Sequence, residues 1–332
     1  MESVAPHLPL VIGHRGASGY RPEHTAEAYR LAFELGADAV EPDVVFSLDG
    51  VPVVRHENEI SGTTDVAAHP EFAARHTSRT VDGIEESGWF TEDFTWAELQ
   101  TLRARERLPK VRPESAAYDD RFEVLRLAEV LAIADEASAA RGVPLAVVVE
   151  VKHATHFGSR GFDVVALLRA ELAAAGWDAR PEQLILESFE QTVLDELRAT
   201  GLPGRYIYLV EDAGAAFDLV TRDGAEAVSY AEQLTDAGLA PLAGAVDGIS
   251  VDKSLILPRD ARGAALPVTD VVARAHRAGL AVFTWTLRSE KRFVPRDLSW
   301  EEEYALILGS GVDGVFADQP DLAIAVRGRA YT

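Results

Sequence analysis

The chain has 332 residues, of which 47% are hydrophobic and 26% charged, which is typical of a globular protein with a full hydrophobic core. Its 32 Lys and Arg residues against 54 Asp and Glu give a net charge of −22, which argues against nucleic acid or anionic membrane surfaces as partners. Cysteine is absent, so disulfides, thiolate metal sites and cysteine nucleophiles are excluded.

The sequence shows no targeting or membrane-spanning segment. Residues 1–9 have no basic stretch followed by a long apolar one, and no later stretch approaches the roughly 18 apolar residues of a membrane span. We therefore predict no membrane insertion. The expected location is cytoplasmic for the chain as given, or periplasmic or secreted if a signal peptide has been removed.

The first 56 residues contain three short apolar runs that each end in charged or ionisable side chains. Each run is typical of a β-strand with polar residues at its end. The runs are Val11-Ile12 before His14 and Arg15, Ala39-Val40 before Glu41 and Asp43, and Val53-Val54 before Arg55 and His56.

The second and third runs are predicted to form an antiparallel hairpin. The segment between Asp43 and Val51 is too short for a parallel crossover, and residues 47–50 read Ser-Leu-Asp-Gly, a turn sequence. Such a hairpin sets Glu41 roughly opposite His56. Glu41 and Asp43 are two apart on an extended strand, so both side chains are expected to point to the same face.

Beyond the hairpin, a helical pattern, a glycine and an apolar run recur along the chain. Gly36, Gly176 and Gly279 each follow a helical pattern, and Thr269 is predicted to cap the start of the last of these helices. Counted with the first strand, the apolar runs number eight. They are residues 10–13, 39–40, 145–151, 184–186, 206–210, 249–251, 281–285 and 312–316.

Eight alternating strands and helices predict an α/β fold, a (β/α)8 TIM barrel formed by residues 1–332 as a single domain. Residues 57–122 break the rhythm and are predicted to be an insertion after the second barrel strand, at the catalytic rim. The insertion contains an aromatic cluster of Trp89, Phe90, Phe94 and Trp96. Three interpretations of the cluster remain open: a lid that closes over the substrate, a small core belonging to the insertion itself, or a part of the main core.

Further polar side chains stand at the ends of later strands. Glu150 and Lys152 are two apart at the end of a nearly all-apolar strand, and Lys152 is one of only four lysines in the chain. Glu187, Asp252 and Asp318 also fall at or near strand ends. A lone carboxylate at a strand end is more often a structural ion pair, but several at one barrel mouth indicate a functional site.

These residue types suit a metal ion and an anionic substrate. Glu41, Asp43 and Glu150 supply the hard oxygen ligands that Ca²⁺ and Mg²⁺ prefer. Arg15 and Lys152 supply positive charge for an anion, which this acidic chain would otherwise repel.

His14 and His56 are candidates for general acid and base, because imidazoles exchange protons near neutral pH. Together with a metal and two cations, they favour phosphoryl chemistry on a diester. A glycosidase would account for paired carboxylates, but it explains neither the histidines nor Lys152.

Seven motifs, spread over nearly the whole chain, carry a family resemblance. They are H-R-G-A-S-G-Y-x-P-E-H-T over residues 14–25, E-x-D over 41–43, V-V-x-H over 53–56, E-V-K over 150–152, S-F at 188–189, T-W-T-L-R over 284–288 and G-V-D-G-V-F-A-D over 311–318. With these motifs the sequence resembles the glycerophosphodiester phosphodiesterase family. The long insertion and Arg288 resemble its larger, periplasmic-type branch.

The resemblance implies metal-dependent hydrolysis of a small-molecule glycerophosphodiester to sn-glycerol 3-phosphate and an alcohol. One divalent cation, Ca²⁺ or Mg²⁺, is the expected cofactor. A neighbouring glycerol hydroxyl is expected to attack phosphorus, so that His/His acid–base catalysis passes through a cyclic phosphate. The implied roles are acid and base for His14 and His56, metal ligands for Glu41, Asp43 and Glu150, phosphate binding for Arg15 and Lys152, and a substrate pocket lined by Glu187, Phe189 and Trp285.

Two alternative functions remain open. The first is another barrel phosphodiesterase, phospholipase-D-like or phosphoinositide-specific. Such enzymes act at membranes, and this chain shows no basic interfacial patch. The second is a non-catalytic binding protein on the same scaffold, against which the full set of histidines and carboxylates speaks.

Overall fold

A closed parallel β-barrel surrounded by helices forms the body of the structure, a computed structural model that describes residues 8–330. Within this range the strands are β1 (Leu10–His14), β2 (Ala39–Glu41), β3 (Asp43–Phe46), β4 (Pro52–Val54), β5 (Thr77–Val81), β6 (Ile84–Gly88), β7 (Ala146–Val151), β8 (Leu184–Ser188), β9 (Arg205–Val210), β10 (Gly248–Asp252), β11 (Ala281–Leu287) and β12 (Gly314–Ala317). No helix in this range is long and apolar enough to cross a membrane.

Helices follow most of the barrel strands and cover the outside of the barrel. In the described range they are α1 (Ala26–Glu34), α2 (Trp96–Leu99), α3 (Pro113–Ala116), α4 (Leu127–Arg141), α5 (Ala154–Ser159), α6 (Val164–Ala174), α7 (Gln191–Ala199), α8 (Phe217–Asp223), α9 (Tyr230–Gln233), α10 (Asp236–Ala245), α11 (Lys253–Ile256), α12 (Val271–Ala278), α13 (Trp300–Gly309) and α14 (Pro320–Ala330). Short 3₁₀ segments are found at Val66–Ala68, Pro70–Arg75, Thr91–Asp93, Gly224–Glu226 and Lys291–Phe293.

The strand order confirms the predicted (β/α)8 barrel. Around the barrel run β1, β2 with β3, and then β7 to β12 in sequence, and β12 pairs in parallel with β1 to close it. The second position is built from two strands because Pro42 has no N–H to donate and interrupts the ladder. Both β2 and β3 still pair in parallel with β7.

The predicted hairpin is present as β3 and β4, with Val44 opposite Val54. Extending that pairing by two residues on each side sets Pro42 opposite His56, so the predicted alignment of Glu41 with His56 is one residue out. The sequence prediction assumed one uninterrupted strand through Glu41. The residues that follow β4 nonetheless place His56 at the mouth of the barrel.

Hydrophobic side chains cover both faces of the barrel wall, one layer inside the barrel and one outside. The interior is filled by side chains from alternate barrel positions, namely Ile12, Ala39, Ala146, Val148, Ile185, Ile207, Phe283 and Phe316. The larger outer layer lies between the strands and the helices. The barrel is therefore a solid core rather than a pore, and its chemistry is confined to the open end.

The start of α12 differs from its prediction. Thr269 does not occupy the N-cap position, which belongs to Asp270. The Thr269 hydroxyl instead donates a hydrogen bond to the Leu255 carbonyl at 2.6 Å, so it is used for a tertiary contact. The predicted helix end is confirmed, because Gly279 adopts a left-handed φ of 90° as the C-cap.

The insertion lies between β4 and α4, after the second barrel position, as predicted. Its strands β5 and β6 form a separate antiparallel hairpin, with Thr77 opposite Gly88. The turn of this hairpin, at Asp82 and Gly83, borders a cavity next to His56.

The aromatic side chains of the insertion point inward, away from the barrel mouth. Phe90 and Phe94 are fully buried, and Phe94 belongs to the main hydrophobic core. Phe94 meets Phe72 edge-on, with 5.1 Å between ring centroids, and the Trp89 indole donates to the Phe72 carbonyl. Trp89 and Trp96 also pack against the main core, so both the lid and the separate small core are wrong for these side chains.

Phe94→Leu is accordingly expected to lower the free energy of unfolding by about 1–2 kcal/mol, because it removes buried ring volume from the main core. Urea denaturation measures this, with Val143→Ala as the control, since Val143 is 51% exposed and lines neither cavity of the barrel mouth. KM should be unchanged. A variant of wild-type stability with an altered KM would restore the lid interpretation.

Candidate active site

The ionisable residues predicted at strand ends converge at the open end of the barrel. They surround a cavity of about 270 Å³. Its lining includes His14, Arg15, Glu41, His56, Glu150, Glu187, Phe189 and Trp285. Each follows or ends a barrel strand or its hairpin extension, where the backbone of parallel strands delivers side chains to one mouth.

Three carboxylates form a group that can hold a metal ion. One oxygen each from Glu41, Glu150 and Glu187 lies within 4.8 Å of the others, and all three residues are buried. Glu187, which the sequence placed only in the substrate pocket, is therefore part of the acidic group. Its Oε2 atom has no hydrogen-bond partner in the described part of the chain.

Asp43, predicted as a ligand, lies beside Glu150 but outside this group of three. Its Oδ2 atom contacts His24 Nε2 at 2.8 Å and lies 3.3 Å from Arg15 Nε, while its buried Oδ1 has no partner. Although burial opposes it, the charges of His56 and Arg15 hold the pKa of Asp43 well below its usual value. Asp43 thus stays ionised with one oxygen free, and its role as a ligand stays a prediction.

The three grouped carboxyls, in contrast, tolerate negative charge poorly. Burial raises the pKa of Glu150 to about 8 despite the nearby Lys152 ammonium. Burial, reinforced by neighbouring carboxylates, raises the pKa values of Glu41 and Glu187 well above their usual range. A hard divalent cation would offset the negative charge of these carboxylates. Oxygen is the donor atom that such an ion prefers, and the unpartnered Oε2 of Glu187 is available to bind it.

His14 is anchored through one ring nitrogen and presents the other to the cavity. Its Nδ1 lies 2.5 Å from Asp318 Oδ1, and Asp318 is buried. Burial and the adjacent Arg15 lower the pKa of His14 to about 4, so the ring is neutral at pH 7. A neutral ring with Nδ1–H donated to a carboxylate leaves Nε2 free to accept a proton.

His56, which follows the β3–β4 hairpin, has the same arrangement. Its Nδ1 contacts Glu57 Oε1, and its Nε2 lies 3.4 Å from Lys152 Nζ. Partial burial and the charges of Arg15 and Lys152 lower its pKa. Both imidazoles therefore have Nδ1 held by a carboxylate and line the same cavity. Their role as an acid–base pair stays a prediction.

Two cations flank the acidic group. Lys152 Nζ contacts Glu150 Oε1 at 2.8 Å and lies 5.2 Å from the centre of the Phe189 ring. The backbone N–H of Arg15 donates to Glu41 Oε2 at 2.8 Å, and Arg15 adopts a positive φ of 60°. Phe189 in turn meets Trp285 edge-on at 5.5 Å between ring centroids, so the predicted pocket residues line the same mouth.

Several residues that support the site were not predicted. Arg107 and Arg112 come from the insertion: Arg107 bridges Glu23 and Glu57, and Arg112 bridges Glu290 and Asp318. The carboxylates that position His14 and His56 are thus both held by arginines of the insertion. Neither arginine follows a strand or belongs to a motif.

His24 is a further supporting residue, since it connects Asp43 to Tyr29 through its two ring nitrogens. It lies in the P-E-H-T part of the first motif, so its presence was visible in the sequence although its contact was not. Carboxylates, imidazoles and cations at the mouth of a barrel define a TIM-barrel enzyme.

The chain belongs to the glycerophosphoryl diester phosphodiesterase family, whose model matches residues 14–322, and it is therefore a phosphodiesterase. Similar proteins include the glycerophosphodiester phosphodiesterase GDPD6 of Arabidopsis thaliana, 33% identical over 93% of this chain and 83% of the relative. The glycerophosphodiester phosphodiesterase of Haemophilus influenzae is 25% identical over 95% of this chain and 88% of its own.

Solved structures share the fold. One from Silicibacter pomeroyi has a TM-score of 0.69 at 22% identity and covers 98% of this chain and 94% of its own. A phosphodiesterase of Oleispira antarctica, in complex with the product sn-glycerol-3-phosphate, has a TM-score of 0.65 at 21% identity and covers 96% of each chain. At these identities the likeness supports the barrel architecture.

Proposed function

We propose that this protein hydrolyses glycerophosphodiesters to sn-glycerol 3-phosphate and an alcohol, with one bound divalent cation, Ca²⁺ or Mg²⁺. The observation that carries the proposal is the single cavity shared by two anchored imidazoles, an acidic group and Arg15. The names of the relatives and the product complex of the Oleispira antarctica protein support the same substrate class.

The cation is assigned to Glu41, Glu150 and Glu187, with Asp43 as a further ligand through its free Oδ1. When bound there, it supplies Lewis acidity toward a phosphoryl oxygen and lowers the pKa of a substrate hydroxyl. Arg15 and Lys152 hold the other phosphoryl oxygens, and their charges stabilise the negative charge that grows in the transition state.

Proton transfer falls to the two histidines. The glycerol 2-hydroxyl stands next to the esterified carbon, so its attack on phosphorus is intramolecular and gives a five-membered cyclic phosphate. One imidazole takes the hydroxyl proton at Nε2, and the other protonates the departing alcohol. Asp318 and Glu57 stabilise the imidazolium on each side, and water then opens the ring with the two roles reversed.

Release of free alcohol from a panel of glycerophosphodiesters tests the proposal. The choline, ethanolamine, inositol and glycerol esters are each incubated with Ca²⁺ or Mg²⁺. Formation of sn-glycerol 3-phosphate from at least one ester is the expected result. No turnover of any ester with either ion would overturn the proposed function.

The intramolecular attack predicts that a substrate lacking the glycerol 2-hydroxyl binds without being cleaved. The 2-deoxy analogue of glycerophosphocholine should inhibit the reaction competitively, with turnover lower by more than about 10³-fold, since the neighbouring nucleophile is lost. Turnover near that of the parent ester would point instead to direct attack by water, with the same residues in different roles.

A further inference from the structure

A second cavity, of about 630 Å³, opens onto the active site and has no role in the reaction described so far. His56, Glu150, Phe189 and Trp285 line both this cavity and the smaller one. Its remaining walls come from the turn of the β5–β6 hairpin and from the segments that follow β8 and β9. A substrate held at the histidines can therefore extend into either cavity.

The walls of the second cavity are acidic. Asp82, Glu86, Glu190 and Glu211 line it and come from three separate parts of the chain. Lys152 is the only lysine or arginine among the described residues of its lining, and its ammonium already contacts Glu150. The side chains of Glu86 and Glu211 form no hydrogen bond or ion pair with any described residue.

Glu190 gives independent evidence that the cavity is built for a ligand. It is only 4% exposed, and its Oε2 is held by the backbone and hydroxyl of Thr155. Its buried Oε1 has no hydrogen-bond partner among residues 8–330. Leaving a buried carboxylate oxygen unpaired is costly, so a cationic group bound in the cavity would relieve that cost.

Aromatic rings complete the lining of the second cavity. Phe217 and Tyr230 face it together with Phe189 and Trp285, which meet edge-on at 5.5 Å. Ring faces beside carboxylates are the surroundings that ammonium and quaternary ammonium groups prefer. A neutral polyol could donate hydrogen bonds to these carboxylates but would leave their negative charge uncompensated, and an anion would be repelled by them.

The first cavity has the opposite character. Besides the acidic group, its lining includes five basic side chains, Arg15, Lys253, Arg259, Arg288 and Arg292. Outside the acidic group, basic residues thus predominate in the first cavity and carboxylates in the second. A phosphodiester that carries a positive charge on its alcohol matches both cavities at once.

We propose that the second cavity is the subsite for the leaving alcohol and selects alcohols that carry an ammonium or quaternary ammonium group. The inference rests on the proposed function. The glycerol phosphate half, common to all substrates, occupies the smaller cavity beside the acidic group and Arg15, and the variable alcohol occupies the larger one. His56, which lines both cavities, then protonates the leaving alcohol, and His14, which lines only the first, receives the hydroxyl proton.

A matched pair of substrates isolates the effect of charge. Glycerophosphocholine is compared with its 3,3-dimethylbutyl ester, in which carbon replaces the charged nitrogen without a change of shape. We expect kcat/KM to be roughly tenfold higher for the choline ester, because its ammonium group would be partly desolvated and stabilised by the aromatic rings and carboxylates of the cavity. The glycerol and serine esters extend the series to neutral and carboxylate-bearing alcohols.

Variants of the acidic lining residues then identify which side chains discriminate between the two esters. Glu86→Gln and Glu211→Gln are each expected to reduce the ratio of the two kcat/KM values by about threefold or more, and the double variant to bring it near one. Glu85→Gln is the control, because Glu85 is the exposed neighbour of Glu86 on β6 and does not line the cavity. Glu190→Gln is measured as well, with its thermal unfolding recorded because Glu190 also holds Thr155.

Three results would overturn the inference, and they differ from failure of the proposed function. Equal kcat/KM for the choline and dimethylbutyl esters would show that the cavity ignores charge. A preference for the serine ester would place the alcohol against the basic residues of the first cavity instead. A choline preference that survives the double variant would assign selection to other residues, whereas no hydrolysis of any glycerophosphodiester would remove the proposed function itself.

Discussion

His14→Ala and His56→Ala are each expected to lower kcat by about 100-fold or more, because a positioned acid or base typically contributes a factor of this order. A carboxylate at Nδ1 anchors each imidazole. A mobile water that fills the space left by the ring would match neither its position nor its basicity. Metal affinity should stay close to wild type, since neither histidine belongs to the acidic group. Steady-state kinetics with a saturating cation measures the effect.

His69→Ala serves as the control, because His69 lies in the insertion and pairs only with Asp65 and Glu71. The two active-site variants should also differ from each other. With a p-nitrophenyl leaving group, which departs without a proton, His56→Ala should recover most of its loss and His14→Ala should not. A His56→Ala enzyme with near wild-type turnover of the choline ester would exclude His56 from proton transfer.

The second large effect concerns the metal. Removal of divalent cations with a chelator is expected to lower turnover by more than about 100-fold, and Ca²⁺ or Mg²⁺ should restore it. Glu150→Gln and Glu187→Gln should each weaken cation binding by about tenfold or more, because each removes a charged oxygen ligand. Asp43→Asn should weaken it too, through the loss of the free Oδ1. Calorimetric titration of the chelator-treated protein gives these affinities.

Cation binding should release protons near neutral pH and strengthen as the pH rises. In the metal-free protein the pKa of Glu150 is about 8, and the pKa values of Glu41 and Glu187 are also raised, so these carboxyls keep protons that a cation must displace. Affinity should therefore climb as pH increases toward about 8. Titrations in buffers of different ionisation enthalpy count the protons.

Glu302→Gln provides the matched control for the carboxylate variants, since Glu302 is a surface residue whose contacts are with Ser299 at the start of α13. It should bind cations like the wild type. Unchanged affinity in Glu150→Gln would remove Glu150 from the site, and binding without proton release would mean that the carboxyls are already ionised.

The barrel and most of its mouth were predictable, because both depend on local pattern. Alternation of apolar runs with helical segments sets the strands, and parallel strands in a barrel must end at one mouth. His14, Glu41 and Glu150 could therefore be brought together from strand ends alone. Placing Glu187 in the acidic group needed the closed barrel, since the direction of a strand-end side chain depends on the neighbouring strands.

The contacts of the insertion could not be predicted, because no periodicity links its residues to the barrel. Arg112 reaches Asp318 across 206 positions of sequence, and nothing near Arg112 signals that partner. The inward packing of Phe94 could not be predicted either, because a cluster of aromatic residues has the same sequence pattern whether it covers a substrate or belongs to a hydrophobic core. Thr269 shows the reverse case, a local capping signal overridden by a tertiary hydrogen bond.

The pairing of His14 with Asp318 has a consequence for the protein during its synthesis. The two residues are 304 positions apart, and β1, the first of the described strands, pairs with β12, the last of them. While the ribosome is still producing the chain, β1 lacks this neighbour and His14 lacks its carboxylate. Until β12 emerges, the nascent chain carries an unclosed sheet edge, which makes it a natural client for chaperones. Catalytic competence would then arrive with barrel closure, only after β12 has been made.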